Sequence, residues 1–276
     1  MYRFLLSRQW VFLTLLGLVM IPAMAELGFW QLHRHDHRVA NNKIIAASLR
    51  TAPAPVESVT GPGATVPRQD LYRTVTATGR FDTAHEVVAR QRTDADGNRI
   101  GYHVITPLTL ANGRTVLVNR GWIAPGDDLT AFPEIPGPPA GEVTVTGRLR
   151  PDETSKATGI RNKHGLPARQ IQLISGAEAA KQQVPGELLG GYLELVGTTP
   201  GAKGPQPELI PEPDHSGIGP HLAYAVQWWL FAAMVPVGWV VLVRRRRAEI
   251  LAERAGQRGD GGDPPHRPHN GAALAV

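Results

Sequence analysis

Two long apolar runs, one near each end of the chain, constrain the fold most strongly. The second run extends from Leu222 to Val243. A helix of that length rises by about 1.5 Å per residue and spans roughly 30 Å, the thickness of a bilayer core. Arg244–Arg247 follow at once, and arginines beside a span are retained on the cytoplasmic side. The sequence therefore predicts a transmembrane helix over 221–243 and a basic, largely disordered cytoplasmic tail over 244–276. Within this tail, the helix is expected to continue to about Ala255.

The first apolar run extends from Trp10 to Leu32 and is preceded by Arg3 and Arg8. It predicts a second transmembrane helix over 10–32, with residues 1–9 in the cytoplasm. An alternative is a signal peptide cleaved after "AMA" at 23–25. The apolar character resumes beyond Glu26, which makes the run longer than the apolar region of about 7 to 15 residues in a signal peptide. The retained anchor is the favoured interpretation, and both termini are then cytoplasmic.

Residues 33–220 lie between the two predicted spans and are expected to be extracytoplasmic. They contain seven short segments of strand-like composition or alternation, joined by turn signals such as Asp96-Gly97 and Asn112-Gly113. The predicted strands are Leu71–Asp82, His85–Thr93, Arg99–Leu110, Arg114–Ile123, Glu142–Arg150, Gln170–Ile174 and Tyr192–Gly197. The predicted fold class is a membrane protein whose two transmembrane helices flank a mainly antiparallel β domain, either a sandwich or a partly closed barrel.

Three other local features complete this organisation. Ser175 and Glu178 have capping-box spacing and predict one short helix. The Pro/Gly-rich segments at 51–69 and 200–219 are predicted to be extended tethers that join the β domain to the spans.

Composition excludes several functions. The chain has no cysteine, which excludes disulfides, thiolate catalysis and cysteine-ligated zinc. Its net charge of +5 arises partly from the arginine run, which suits an anionic membrane surface. The sequence contains no basic helix interleaved with aromatic residues, so it does not predict nucleic-acid binding. No hydrolase, metalloprotease or nucleotide-binding motif is present, so we expect a protein that is not an enzyme.

His221, an ionisable residue at the start of the second span, is the main candidate for a functional residue. His221, Tyr224 and Trp228 recur at helical spacing and form one row. Trp30 and Gln31 end the first span on the same predicted side of the membrane, at a similar depth. Ionisable residues at a span are functional candidates by default. The residues alone leave His221 as either a ligand or part of an interfacial aromatic belt.

A second histidine group, "HRHDH", follows the first span. His33, His35 and His37 would share one face of a strand, whereas a helix would pair only His33 with His37. Imidazoles so arranged can bind copper, zinc or nickel. An extracytoplasmic metal site is therefore an alternative to a plain polar juxtamembrane segment.

Six motifs occur in order along the chain: "LGFWQLHR" (27–34), "YRTVTATGRFD" (72–82), "GYHVITPL" (101–108), "VLVNRGWI" (116–123), "VTVTGRLR" (143–150) and "HLAYAVQWW" (221–229). Together they resemble the Surfeit locus protein 1 family of cytochrome c oxidase assembly factors. The chain departs from the family pattern at "GPHL", where many relatives carry an asparagine pair, and at "RHDHRVANNK", where a tryptophan-lysine pair is common.

The resemblance implies a role in assembling a haem-copper oxidase, with oxidase subunit I and other assembly factors as partners. It implies haem a as a transient cofactor, with His221 as the iron ligand and Trp30, Gln31, Tyr224 and Trp228 around it. It also implies the bacterial cell membrane as the location, or the mitochondrial inner membrane in a eukaryote. A structural assembly scaffold that binds no haem, and a histidine-based metal-binding protein, are the alternatives.

Overall fold

The computed structural model describes residues 3–163 and 165–259, with side chains up to residue 256. The chain forms two compact units, one made of Met1–Arg38 with Ile218–Val276 and the other of Val39–Gly217. We call the first unit the helical hairpin and the second the β domain. The helices are α1 (Arg8–Arg50), α2 (Ser155–Thr158), α3 (Gly176–Lys181) and α4 (His221–Gly259). The strands are β1 (Ala54–Pro55), β2 (Thr74–Phe81), β3 (Val87–Thr93), β4 (Ile100–Leu110), β5 (Arg114–Ile123), β6 (Glu142–Arg150), β7 (Gln170–Ile171) and β8 (Glu187–Thr199).

Helices α1 and α4 are both long and apolar enough to cross a membrane. Their large apolar side chains point outward: Leu18 is 63% exposed and Val237 is also 63% exposed. A helix in the core of a soluble domain would bury such residues. The two candidate spans therefore lack the buried face that a soluble core helix requires.

Each candidate span is part of a longer helix. α1 continues without a break from the first apolar run to Arg50, and α4 continues beyond the four arginines to Gly259. We expected the helix to continue into the basic tail as far as about Ala255, and it continues to Gly259. The remainder, 260–276, lies outside the described residues.

The strands of the β domain close into a ring. The pairing order is β2-β6-β8-β5-β4, and Gly79–Phe81 of β2 pair with Leu108–Leu110 of β4 to complete it. Strands β3, β7 and β1 extend this ring at its edges. The arrangement corresponds to the partly closed barrel rather than to the sandwich.

The sheet is mixed rather than simply antiparallel. The pairings β1–β2, β3–β7 and β5–β8 are parallel, while the other five are antiparallel. Sequence periodicity missed the parallel pairs because it reports alternation along a strand and not the direction of its neighbour. The described part of the domain also has eight strands and two short helices, where we expected about seven strands and one helix.

Several predicted boundaries are wrong. β2 starts at Thr74 rather than Leu71, because Tyr72 has φ 64°, outside the extended region. Only Gln170 and Ile171 of the predicted strand 170–174 pair. β8 begins at Glu187, before the predicted Tyr192.

Local turn chemistry was predicted correctly. Gly113 and Gly97 have φ of 81° and 73°, the left-handed conformation that the two hairpin turns require. The Asn112 side chain accepts from Arg114 N at 3.0 Å. Ser175 caps α3 by accepting from Glu178 N at 3.3 Å, as the capping-box spacing indicated.

The β domain has a core on each side of its central strands. Val118 and Leu193 belong to the core inside the ring, whereas Leu117 and Tyr192, next to them in sequence, belong to a second core that includes Ala179 of α3. Neighbouring residues of a strand point to opposite faces. Strands β5 and β8 are therefore buried on both faces.

Both predicted tethers pack on the β domain. In the segment 51–69, Val56 is 1% exposed and Val66 is 6% exposed, and both join the inner core. Glu208, in the segment 200–219, exchanges two backbone hydrogen bonds with Trp122 at 2.7 and 2.8 Å. Interpreting the Pro/Gly content as free tether was wrong, because these residues supply pairing edges and apolar side chains.

A charged pair is buried inside the β domain. Arg120 Nη1 donates to Glu86 at 3.0 Å, and the side chains are 1% and 7% exposed. Thr106 also donates to Glu86, while Arg120 donates to the backbone oxygen of Pro136 and to Gln206. Burial lowers the pKa of Arg120, with Glu86 opposing that effect. Because several donors satisfy the carboxylate, the pair can stay ionised in the interior.

Candidate functional site

His221 occupies the first position of α4. Gly219 precedes it with φ 66°, and Tyr224 N donates to Pro220 O at 3.0 Å in the first turn. Proline before the first helical residue is compatible with a helix start, since its missing N–H would have no helical partner there. This local sequence fixes His221 at the mouth of the helical hairpin.

His221 and Gln31 are in direct contact. Nδ1 of His221 lies 2.9 Å from Oε1 of Gln31. An amide oxygen can only accept, so the ring nitrogen that faces it carries the proton and donates. The lone pair of the neutral ring is then at Nε2. This is the arrangement in which a second residue sets the tautomer of a metal-binding histidine.

Basic side chains surround the mouth of the hairpin. Arg38 and His221 both lie close to Gly219. A Cβ on Gly219 would be 3.3 Å from Nη1 of Arg38 and 3.4 Å from Cδ2 of His221. Arg34 is also near enough for its charge to act on the His221 ring. Arg34 also stacks over Trp30 at 5.5 Å. The mouth therefore suits a ligand with negatively charged groups.

Close contacts below the mouth hold the two helices together. Gly28 is buried, and a Cβ there would collide with the indole ring of Trp229 at Nε1. Trp229 also makes an edge contact with Phe29, with ring centroids 5.5 Å apart. Deeper in the hairpin, Nε1 of Trp239 donates to Thr14 Oγ1 at 3.0 Å. Small residues at helix crossings allow such close approach.

The structure does not enclose all the predicted pocket residues. Trp30 is 53% exposed and Tyr224 is 46% exposed. Trp228 is partly buried and packs edge-on against Phe231 at 6.1 Å. Of the predicted partners, Gln31 is the one whose hydrogen bond to His221 is described. The residues around His221 therefore form a partly exposed surface at the mouth of the hairpin, and Glu26 lies exposed on α1.

The residues of "HRHDH" are helical, so the strand arrangement is wrong. His33 and His37, four residues apart, share one face and are exposed, while His35 is partly buried. Nδ1 of His35 is buried without a hydrogen-bond partner. Among the described residues, no three His, Cys, Asp or Glu side chains converge on a point where a metal ion fits.

The β domain contains a separate polar cluster around His103. Burial lowers the pKa of His103 to about 3, with help from the charges of Arg92 and Arg150. Asn119 Nδ2 lies 3.2 Å from His103 Nδ1 and donates to it. Because His103 stays neutral and the nearby Arg92 and Arg150 are each paired with a glutamate, we regard this cluster as structural.

Comparison with known proteins identifies the family. Residues 18–233 match the model of the SURF1 family. The chain belongs to the SURF1 family. It is 31% identical to an uncharacterized SURF1-like protein of Mycobacterium tuberculosis, over 96% of this chain and 93% of that protein. It is 28% identical to Surfeit locus protein 1 of Xenopus tropicalis, over 80% of this chain and 73% of that protein. The SURF1-like protein of Rickettsia felis is 27% identical over 40% of this chain and 46% of its own length.

The segment that matches the SURF1 family contains the whole histidine site. It also contains two packing residues that sequence reasoning did not select, Gly28 and Trp229. A glycine opposite a large aromatic residue in a two-helix hairpin is a signal for close helix contact. The signal was missed because the sequence of each helix does not determine which of its residues face the other helix.

Proposed function

We propose that this SURF1-family chain is a two-span membrane protein that assists the assembly of a haem-copper, or cytochrome c, oxidase. In this proposal it holds haem a at His221 during maturation of oxidase subunit I. The hydrogen bond between His221 and Gln31 carries the proposal, because it presents Nε2 as a free ligand at the hairpin mouth. The match to the SURF1 family supports the oxidase assignment.

The proposed topology places both termini in the cytoplasm and the β domain outside it. Two apolar helices with outward-facing side chains support a membrane location. The exposed arginines at 244–247 come directly after the second apolar run and support a cytoplasmic end for α4. Arg3 and Arg8 precede the apolar run of α1 and likewise support a cytoplasmic N-terminus. In this proposal α1 is a retained anchor, so the mature protein should begin before Glu26.

The residues at the mouth of the hairpin fit a haem group chemically. A neutral imidazole is a usual axial ligand for haem iron, and the apolar hairpin suits a macrocycle. Haem a, when bound, supplies the redox-active iron that an oxidase needs. His221 would hold the iron, Gln31 would fix the ring tautomer, and Trp228 with Tyr224 would offer flat surfaces. Arg34 and Arg38 would attract the carboxylates at the polar edge.

The test is the haem a content of full-length protein purified from cells that make haem a. We expect the His221→Ala variant to lose most of the haem a that the wild-type protein carries. The matched control is His33→Ala, which removes an exposed histidine of α1 and should keep the wild-type content. Unchanged haem a in His221→Ala protein would reject the ligand role.

A second candidate is an assembly scaffold that binds no haem. The half-exposed Trp30 and Tyr224 favour it, since exposed aromatic side chains at a span can contact a partner helix as well as a cofactor. If wild-type protein from haem a-producing cells contains no haem while deletion of its gene still lowers oxidase activity, the scaffold is the correct function.

A further inference from the structure

Strand β8 has an unpaired edge near its C-terminal end. It pairs with β5 from Glu187 to Glu194 and with β6 from Tyr192 to Thr199. The side of residues 195–199 that faces β5 therefore has no strand beside it, and in the part of the chain that the structure describes no other backbone segment hydrogen-bonds to it. Because a strand presents N–H and C=O groups on both sides, this edge can pair with another extended chain.

At the same level, β5 has a different neighbour. Its pairing with β8 ends at Asn119, and Trp122 instead exchanges two backbone hydrogen bonds with Glu208. The segment around Glu208 thus takes the side of β5 that β8 occupies lower in the ring. It leaves a gap between itself and the unpaired edge of β8.

A pocket of about 250 Å³ lies in this gap. Residues 195–198 of β8 line one wall, and Gln206 and Leu209 line another. The pocket reaches the inner core, since Leu195 belongs to that core and Phe81, which also lines the pocket, packs against it. Sites for whole small molecules usually measure about 300–1,000 Å³. The smaller volume suits one side chain of a larger ligand.

The lining of the pocket carries no net charge. Among the described residues that line it, Arg120 is the one charged side chain, and Glu86 neutralises it at 3.0 Å. Arg120 also donates to Gln206 at 2.9 Å, and most of the remaining lining residues are apolar or glycine. Val196 and Leu209 leave 44% and 46% of their surface exposed. Charge complementarity therefore favours an uncharged, apolar side chain.

We propose that this gap binds an extended peptide segment of a partner protein, which adds a strand to β8 and inserts one apolar side chain into the pocket. The peptide backbone provides the donors and acceptors that the edge lacks, and alternate side chains give specificity. The inserted side chain removes Val196 and Leu209 from water. The site lies wholly in the β domain, so its test is independent of the haem proposed at His221.

The test uses the acetylated and amidated peptide "KTVTLTVTK", which alternates as a strand with one apolar face. Its affinity for full-length protein in phosphatidylcholine nanodiscs is measured by fluorescence anisotropy, with empty nanodiscs as the blank. A peptide with alanine in place of the central leucine should bind about tenfold more weakly. A peptide with N-methyl groups on that leucine and on the threonine before it should not bind, because it lacks the N–H donors of a strand.

A substitution in β8 tests the pocket from the protein side. A Cβ on Gly197 would have no heavy atom within 4 Å, so Gly197→Leu adds bulk in open space and should weaken binding of the leucine peptide about tenfold. The matched control is Gly126→Leu, at an exposed glycine whose Cβ would be equally free, and it should leave the affinity unchanged. In wild-type protein, the bound peptide should slow hydrogen exchange of the amides of residues 195–199.

Several results would overturn the proposal. They are no binding of the leucine peptide, equal binding of its N-methylated form, and unchanged hydrogen exchange at residues 195–199 when the peptide is bound. Protection of these amides in peptide-free protein that disappears on dilution would show that a second copy of this chain covers the edge, which also contradicts a separate partner. None of these results bears on haem binding at His221.

Discussion

The β domain and the helical hairpin place the same residue types in opposite environments. Val118 of the β domain is fully buried, whereas Val19 of the hairpin is 65% exposed. Arg120 is buried against Glu86, whereas the arginines after the second apolar run are exposed. The β domain is stabilised by the removal of apolar side chains from water, whereas the hairpin, which we propose to lie in a membrane, would be held together by a few close helix contacts. Substitutions should therefore act by different mechanisms in the two regions.

The largest expected effect is in the β domain. Glu86→Gln leaves Arg120 as a buried charge with weakened compensation and should lower the free energy of unfolding by about 3–5 kcal/mol. The measurement is urea unfolding of full-length protein, followed by the circular dichroism of the sheet. Glu187→Gln is the control, since the Glu187 side chain is 64% exposed in its ion pair, and it should change stability by less than about 1 kcal/mol. Equal effects of both variants would contradict the buried-pair account.

The next effect is in the hairpin and arises from overpacking. Gly28→Leu forces Trp229 away and should destabilise the helix pair by about 1–3 kcal/mol. The absence of cysteine allows a reporter pair, Gly17→Cys with Val235→Cys, at positions where a Cβ on Gly17 would lie 3.3 Å from Val235. Disulfide formation should slow when Gly28→Leu is added. The exposed control Val237→Leu should leave the rate unchanged; an unaffected rate with Gly28→Leu would mean that this contact does not hold the helices.

The third prediction is that the stability of the β domain depends on pH. The pKa of His103 is about 3 in the folded protein, well below the usual histidine value near 6.5 that applies in the unfolded chain. Above pH 6.5 the ring is neutral in both states, and below it only the unfolded chain gains the proton. Stability should fall from pH 7 to pH 5, with a slope of up to about 1.4 kcal/mol per pH unit. His103→Asn should flatten that slope in urea titrations, and an unchanged slope would show that His103 is not its source.

The smallest expected effect on stability comes from the loss of a single interhelical hydrogen bond. Trp239→Phe removes the donor to Thr14 and should cost about 0.6 kcal/mol, the average for such bonds in a membrane. A double-mutant cycle with Thr14→Val, measured by unfolding in sodium dodecyl sulfate, isolates the bond. A coupling energy near zero would show that packing alone holds this end of the hairpin.

Sequence reasoning predicted the features that depend on neighbours along the chain. The apolar runs, the turns at Gly97 and Gly113 and the cap at Ser175 are local, and each was found. The parallel pairing of β5 with β8 depends on distant segments and was missed. The burial of Val56 was missed for the same reason, since its proline-rich surroundings resemble a free linker.

The histidine site was only partly predictable. Shared depth at the ends of two spans suggested that His221 and Gln31 are neighbours, and they are hydrogen-bonded. The depth of a residue in the membrane does not determine how each helix is rotated about its axis. The half-exposed positions of Trp30 and Tyr224 could therefore not be predicted. The role of Trp229 in the contact with Gly28 likewise depends on rotation.

The central claim is that Nε2 of His221 ligates the haem iron, and the most direct measurement of it is a pulsed electron paramagnetic resonance spectrum. Full-length protein labelled with ¹⁵N-histidine should show a strong histidine nitrogen coupling to ferric haem. The coupling should persist in His33→Ala and disappear in His221→Ala. A coupling that is retained in haem-loaded His221→Ala protein would contradict the account, because another histidine would then hold the iron.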